Sequence, residues 1–206
     1  MIVPFHLLVS KYNLDNIKGI LHIGAHELEE KRFYDMFNIS NVVWIDAIQE
    51  KVDQMKQRYP NENIICATIS DKDDEEVEFI VTNNYQSSSF LELDLHKKFY
   101  PHILEKSRFK TTTKTIKTLA QSHPEIKNCN FLNLDIQGAE LKALQGMGDL
   151  LDNVDYIYTE INVANLYKDC GMMWEIDRYL FNRGFVRFDT HITDQLWGDA
   201  FYYKMV

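Results

Sequence analysis

The chain has 206 residues, 45% of them apolar and 13% aromatic, enough to close a sizeable core and, by length, to make one globular domain over residues 1–206. Its 22 Lys and Arg against 31 Asp and Glu leave a formal net charge of −9. No broad basic surface is then available to a phosphate backbone or an anionic membrane, so neither nucleic acid nor membrane is expected as a partner. Three widely spaced cysteines, Cys66, Cys129 and Cys170, suggest neither a disulfide framework nor a Cys-based zinc site. With no leader-like or spanning apolar segment, the chain is expected to be cytoplasmic.

Gly and Pro are scarce, at 8 and 4, no stretch reads as a linker, and nothing repeats at solenoid periods. Short apolar runs alternate with segments of helical period: a strand over 19–24, a helix over 27–38, a strand over 41–47, a helix over 49–58 and a strand over 63–70. That alternation means βαβ units and a parallel sheet. An acidic turn from Asp71 to Glu78 leads into a strand over 76–82. Leu91, Leu93 and Leu95 suggest a helix running to His96, and the β-branched stretch 111–119 alternates like another strand. The pattern resumes with a strand over 130–135, a helix over 139–147, a strand over 154–161 and a helix over 172–183 closed by Gly184, which can take the left-handed cap. Strands over 185–191 and 199–205 are joined too tightly for a crossover helix and are expected to pair antiparallel. The expected fold class is α/β, a doubly wound, mostly parallel sheet with a C-terminal antiparallel hairpin.

In such sheets ligands sit outside the carboxyl ends of the strands. The first strand-to-helix turn has Gly24 alone, followed by Glu27, Glu29 and Glu30. A dinucleotide site needs a G-x-G-x-x-G cradle, and these acids would repel a pyrophosphate. S-adenosylmethionine, with its ammonium and sulfonium, meets no such objection. A packing turn with solvated acids is the plain structural alternative. Asp46 ends the second strand about 20 residues on, where an acid accepts from both ribose hydroxyls of a nucleoside. Ser70 and Asp71 close the third strand, where an adenine amino group is often held, although an Asx turn explains Asp71 equally well. Asp135 and Glu160 end neighbouring strands and point into one crevice, where either can take a hydroxyl proton or bind a cation; helix capping is the alternative for Asp135. In the loop 86–90, serine hydroxyls can bind a ligand or cap a helix. His22, His26 and His96 are acid–base candidates or structural histidines. Tyr85, Tyr100, Tyr167, Trp174 and Trp197 offer a sugar platform or core packing.

IGAH at 23–26, LDIQGAELKALQGM at 134–147, YTEI at 158–161, a helix closing on RGF at 183–185 and WGDAFYY at 197–203 follow one another in this order. From about residue 18 to 205 the chain resembles the FkbM family of S-adenosylmethionine-dependent methyltransferases. The resemblance implies a Rossmann-like class I methyltransferase fold, S-adenosylmethionine as cofactor, and methyl transfer usually to oxygen, commonly a sugar hydroxyl on a small-molecule or glycan acceptor. The cofactor contacts expected are Gly24, Ala25, His26, Asp46, Ser70, Asp71, Asp135 and Gln137, with Glu140 in the segment facing the reacting centre. Ser88, Ser89, His96 and Trp197 are expected on the acceptor, under a roof made by 83–104 and the region around Trp174 and Trp197. Asp135 and Glu160 are the expected catalytic pair, and would hold a divalent metal ion if one is used. Leu28 stands where the family often has glycine, and its bulk is expected to tilt the first helix or narrow the methionine pocket. The rival readings are a nicotinamide-dependent oxidoreductase on a related fold, and a non-catalytic domain that binds cofactor or glycan.

Overall fold

The computed structural model describes residues 1–205. Its main sheet contains β1 (Ile20–Ile23), β2 (Val42–Asp46), β3 (Asn63–Cys66), β7 (Phe131–Leu134), β8 (Tyr156–Asn162), β9 (Phe185–Ile192) and β10 (Trp197–Lys204), in the order β3-β2-β1-β7-β8-β10-β9. The first five pair in parallel, and β10 runs antiparallel to both β8 and β9. Strand order reverses between β1 and β7, which opens a crevice at their carboxyl ends. The doubly wound sheet and its terminal hairpin are those read from the sequence.

The central strands are buried on both faces, so their apolar residues divide by parity. Leu21, Ile23, Val43, Ile45, Leu132 and Leu134 pack with Ile116, Leu144 and Ile176 from α5 (Ile116–Ser122), α6 (Glu140–Met147) and α7 (Met173–Phe181). Ile20, Val42, Trp44 and Phe131 pack on the other face with Phe5 and Leu8 of α1 (Phe5–Tyr12) and Val52 and Met55 of α3 (Gln49–Arg58). The helix α1, which the sequence pattern did not single out, buries Phe5 edge-on against Tyr34 and Phe131.

Four segments depart from expectation. The first crossover helix, α2, spans only Lys31–Met36, because His26 and Leu28 take left-handed backbone conformations with φ of 42° and 58°. The expected strand over 63–70 breaks at Ala67, whose N–H bonds the Asp46 carbonyl. Its second half, β4 (Thr68–Ile69), leaves for a separate sheet of order β4-β6-β5, with β5 at Glu76–Thr82 and β6 at Glu105–Lys114. The expected strand over 111–119 likewise stops at Lys114: the Thr115 hydroxyl accepts from the Thr118 N–H and starts α5. Finally, Leu91–Leu95 is not helical. Leu93 bridges to Tyr167, and one turn, α4 (His96–Phe99), follows. No helix among the described residues is long and apolar enough to cross a membrane.

Candidate active site

A cavity of about 480 Å³ opens at the carboxyl ends of β2, β1, β7 and β8. Pairing of Ile23 with both Ile45 and Leu134, and of Leu134 with Thr159, brings Gly24, Asp46, Asp135 and Glu160 level along its floor. Gly24 has φ of 87°, and a side chain there would place its Cβ 1.7 Å from the Asp135 carbonyl oxygen. Only glycine lets the first turn lie this close to the end of β7. Asp46 is held by two backbone donors: Oδ2 accepts from His26 N at 2.8 Å and Oδ1 from Ile48 N at 2.9 Å. Burial nevertheless raises its pKa. Ala25 is 1% exposed and packs into the core instead of facing the cavity, as does Leu28 at 2%. Leu28 therefore does not narrow the pocket; it holds a left-handed φ of 58°, a conformation glycine takes without strain, just ahead of the short α2.

Ser70 and Asp71 lie outside the cavity. The Ser70 hydroxyl donates to Asp71 Oδ1 at 3.0 Å, Asp71 pairs with Lys142 at 3.6 Å, and the Ser70 carbonyl sits against Gly146 of α6. The break at Ala67 turns Ala67, Thr68 and Ile69 toward the cavity in their place. Thr68 Oγ1 is buried there without a hydrogen-bond partner.

At the opposite end, Gln137 bridges two carboxylates: Asp135, just past the end of β7, and Glu160, which does not end its strand as expected but lies within β8, paired to Asp199 of β10. Its Nε2 donates to Asp135 Oδ1 at 2.8 Å and to Glu160 Oε2 at 2.6 Å, while its Oε1 accepts from Tyr167 Oη at 2.5 Å. Gln137 reaches this position from a left-handed φ of 56°. Glu140 fixes the turn: fully buried, it accepts from Ile136 N at 2.8 Å and Gly138 N at 3.0 Å. Asp135 caps no helix, and the backbone donors of this turn are met by Glu140 instead. Burial, reinforced by Asp135, Glu140 and Asp199, holds the Glu160 pKa well above the usual carboxylate range. Burial raises that of Glu140 as well.

Oxygens of Asp135, Glu140 and Glu160 come within 4.8 Å of one another. As a metal site this donor set does not fit, because the amide nitrogen of Gln137 occupies the place between Asp135 and Glu160 and the Glu140 oxygens are taken by backbone N–H groups.

The segment 83–104 roofs the cavity. Ser88 lines it, with Oγ accepting from Thr82 N at 3.0 Å, whereas Ser89 lies outside, paired through its backbone to Ile80 and through Oγ to Leu91 N. His96 is 3% exposed, its ring tilted against those of Tyr100 and Tyr167, and its Nδ1 is buried without a partner. Burial lowers its pKa to about 4, so the ring is neutral at pH 7. Trp197 lines the same side and donates from Nε1 to Tyr100 Oη at 2.8 Å. Trp174 does not join them: it is 57% exposed in a groove between α7 and β9. On the floor, His22 shares a buried network with Tyr34 and Asn133, and burial pushes its pKa down to about 3. His26 bonds Glu29 at 2.8 Å. Neither Lys nor Arg is among the described side chains that line the cavity.

A family model described as the methyltransferase FkbM domain matches residues 22–187. The chain belongs to the FkbM methyltransferase family. No curated protein matches it in sequence. Solved structures similar in fold include magnesium protoporphyrin IX methyltransferase (ChlM) from Synechocystis PCC 6803 with bound SAM, at TM-score 0.51 and 11% identity over 97% of this chain and 76% of that one. A S-adenosylmethionine-dependent methyltransferase from Clostridium acetobutylicum ATCC 824 has TM-score 0.52 and 6% identity, covering 98% of this chain and 89% of the other. At these identities the likeness is one of fold.

In this FkbM-family chain, Gly24, His26, Asp46, Asp135, Gln137, Glu160, Ser88, His96 and Trp197 come together around one cavity, and Ala25, Ser70, Asp71 and Ser89 do not. Two participants were not singled out for their roles by the sequence reading. Thr68 reaches the cavity through the strand break at Ala67, which no Gly or Pro marks. Tyr167 reads in sequence as a platform aromatic, and its bond to Gln137 spans 30 residues that periodicity cannot link.

Proposed function

We propose that this FkbM-family protein is an S-adenosylmethionine-dependent O-methyltransferase whose acceptor is a sugar hydroxyl of a glycan or glycan precursor. The observation that carries the reading is the pair of carboxylates Asp135 and Glu160, joined by one amide at the far end of a cavity from Asp46. The lining fits the cofactor: Asp46 offers carboxylate lone pairs to ribose hydroxyls, and Thr68 Oγ1 is an unmet buried hydroxyl at the same end. A single glycine and an acidic first turn suit a sulfonium and an ammonium better than a pyrophosphate, which disfavours the nicotinamide rival. When bound, S-adenosylmethionine supplies an electrophilic methyl carbon on sulfur.

The chain's own residues then act on the acceptor. Asp135 holds the hydroxyl and takes its proton as the new C–O bond forms and the S–C bond breaks, with Glu160 assisting through the shared amide. The neutral His96 ring and the indole of Trp197 favour an uncharged polyol: its hydroxyls meet the imidazole and a C–H face meets the aromatic surface. An anionic acceptor would find no Lys or Arg on the lining. The retained carboxylate pair argues against a domain that only binds.

Calorimetry should register S-adenosylmethionine binding in the micromolar range and none for NADH, and Asp46→Ala should weaken it by about 1.5–3 kcal/mol. Labelled methyl should pass to members of a panel of glycans and polyols, falling about 10²–10⁴-fold in Asp135→Asn. Transfer to protein, lipid or nucleic acid with every sugar inert would overturn the acceptor class, and NADH binding without S-adenosylmethionine binding would overturn the cofactor. Activity undiminished by EDTA is expected.

A further inference from the structure

We infer that Tyr167 is a positioning residue of the methyl-transfer site, orienting the Gln137 amide so that its N–H groups, not its oxygen, face Asp135 and Glu160. The inference rests on the proposed methyltransferase reading for its kinetic consequence, but its geometry stands on its own. Among the described hydrogen bonds, the Tyr167 hydroxyl is the one donor to Gln137 Oε1, at 2.5 Å. A reversed amide would set its oxygen where Nε2 now lies, 2.8 Å from Asp135 Oδ1, with lone pairs facing lone pairs, and would leave Asp135 without this donor. The observed orientation instead gives one N–H donor group to both acids, the buried Glu160 and the partly buried Asp135.

The fold makes room for this contact specifically. Gly138, at φ of 100°, lies so close to Tyr167 that a Cβ there would sit 3.1 Å from the tyrosine Cβ and 2.9 Å from that of Cys170. Tyr167 is 1% exposed and also touches the roof, its hydroxyl lying 3.2 Å from the Ser87 carbonyl. Its one phenolic proton goes to the nearer acceptor, Gln137 Oε1, and the Ser87 carbonyl of the roof packs beside it.

Tyr167→Phe removes the donor and keeps the ring, so the variant should melt close to wild type. Its kcat should fall about tenfold with the KM for S-adenosylmethionine unchanged, and the loss should vanish when the substitution is made on a Gln137→Leu background, since the two act as one unit. An equal loss on both backgrounds, or wild-type kcat in the single variant, overturns the inference. A readout independent of turnover is the side-chain amide pair of Gln137 in a ¹⁵N-labelled sample, assigned by its disappearance in Gln137→Leu. Slow exchange in wild type that is lost in Tyr167→Phe is expected; amide signals identical in the two overturn the positioning role. Wild-type protein that methylates nothing would instead count against the methyltransferase reading, and the amide signals then decide the role of Tyr167 by themselves.

Discussion

Glu160 illustrates how the site trades stability for chemistry. It is 3% exposed, next to Asp135, and burial with like-charged neighbours raises its pKa. A carboxyl raised in the folded state adds its stability below the unfolded pKa and loses it as pH rises through the folded one. At neutral pH and above, the folded protein therefore bears the cost of an acid drawn toward ionisation in a poor solvent. Glu160→Gln keeps an oxygen to accept from Gln137 Nε2 and removes that cost. Thermal denaturation should show the variant more stable by about 2–4 °C at pH 8, equivalent to about 1 kcal/mol in a chain of this size, with the difference fading toward pH 4. Methyl transfer should fall by about 10²–10⁴-fold in the same protein. A variant less stable at pH 8 than at pH 4, relative to wild type, would contradict the sign.

The stretch 111–119 shows how one residue divides a strand from a helix. Its β-branched run continues into Ile116, yet the hydroxyl of Thr115 meets the Thr118 N–H, and Asp73 accepts from both Thr115 N, at 2.8 Å, and Thr118 Oγ1, at 2.7 Å. The backbone groups that would have extended β6 are committed to a helix start, and Ile116 and Ala120 enter the core from α5. Thr115→Ala should cost about 1 kcal/mol. A urea titration should register that loss while S-adenosylmethionine affinity stays at the wild-type value, because α5 lies beneath the sheet and away from the cavity.

Over the whole molecule, the second sheet holds the roof of the cavity beside it. Arg108 on β6 draws in Glu92 of the roof, at 3.1 Å from its Nη2, together with Glu105 at 2.8 Å and Glu78 at 3.0 Å. Exposed ion pairs of this kind add little to global stability but can hold a local segment in place. Arg108→Ala should raise the acceptor KM and speed limited proteolysis within 83–104 while the melting temperature barely moves. Because such pairs are screened by salt, the gap between variant and wild type should narrow at 1 M NaCl. A gap that is independent of salt would place the roof's anchor elsewhere.

Local pattern was sufficient for the features that depend on period and strand ends. The parallel core, the terminal hairpin and the positions of Asp46 and Asp135 follow from apolar runs that stop at an acid beside the crevice at the strands' carboxyl ends, whereas Glu160 lies within β8, which runs on to Asn162. The departure of Thr68 and Ile69 from the main sheet, the short α2 and the non-helical Leu91–Leu95 were decided by partners far away in sequence: the Asp46 carbonyl for Ala67, core packing for Leu28, and Tyr167 for Leu93. So was the amide clamp. Asp135, Gln137 and Glu160 can be picked out by eye, but which way the Gln137 amide faces depends on a tyrosine 30 residues later. A hydrogen bond is set by distance and angle between groups that only the folded chain brings together, and periodicity carries no record of that meeting.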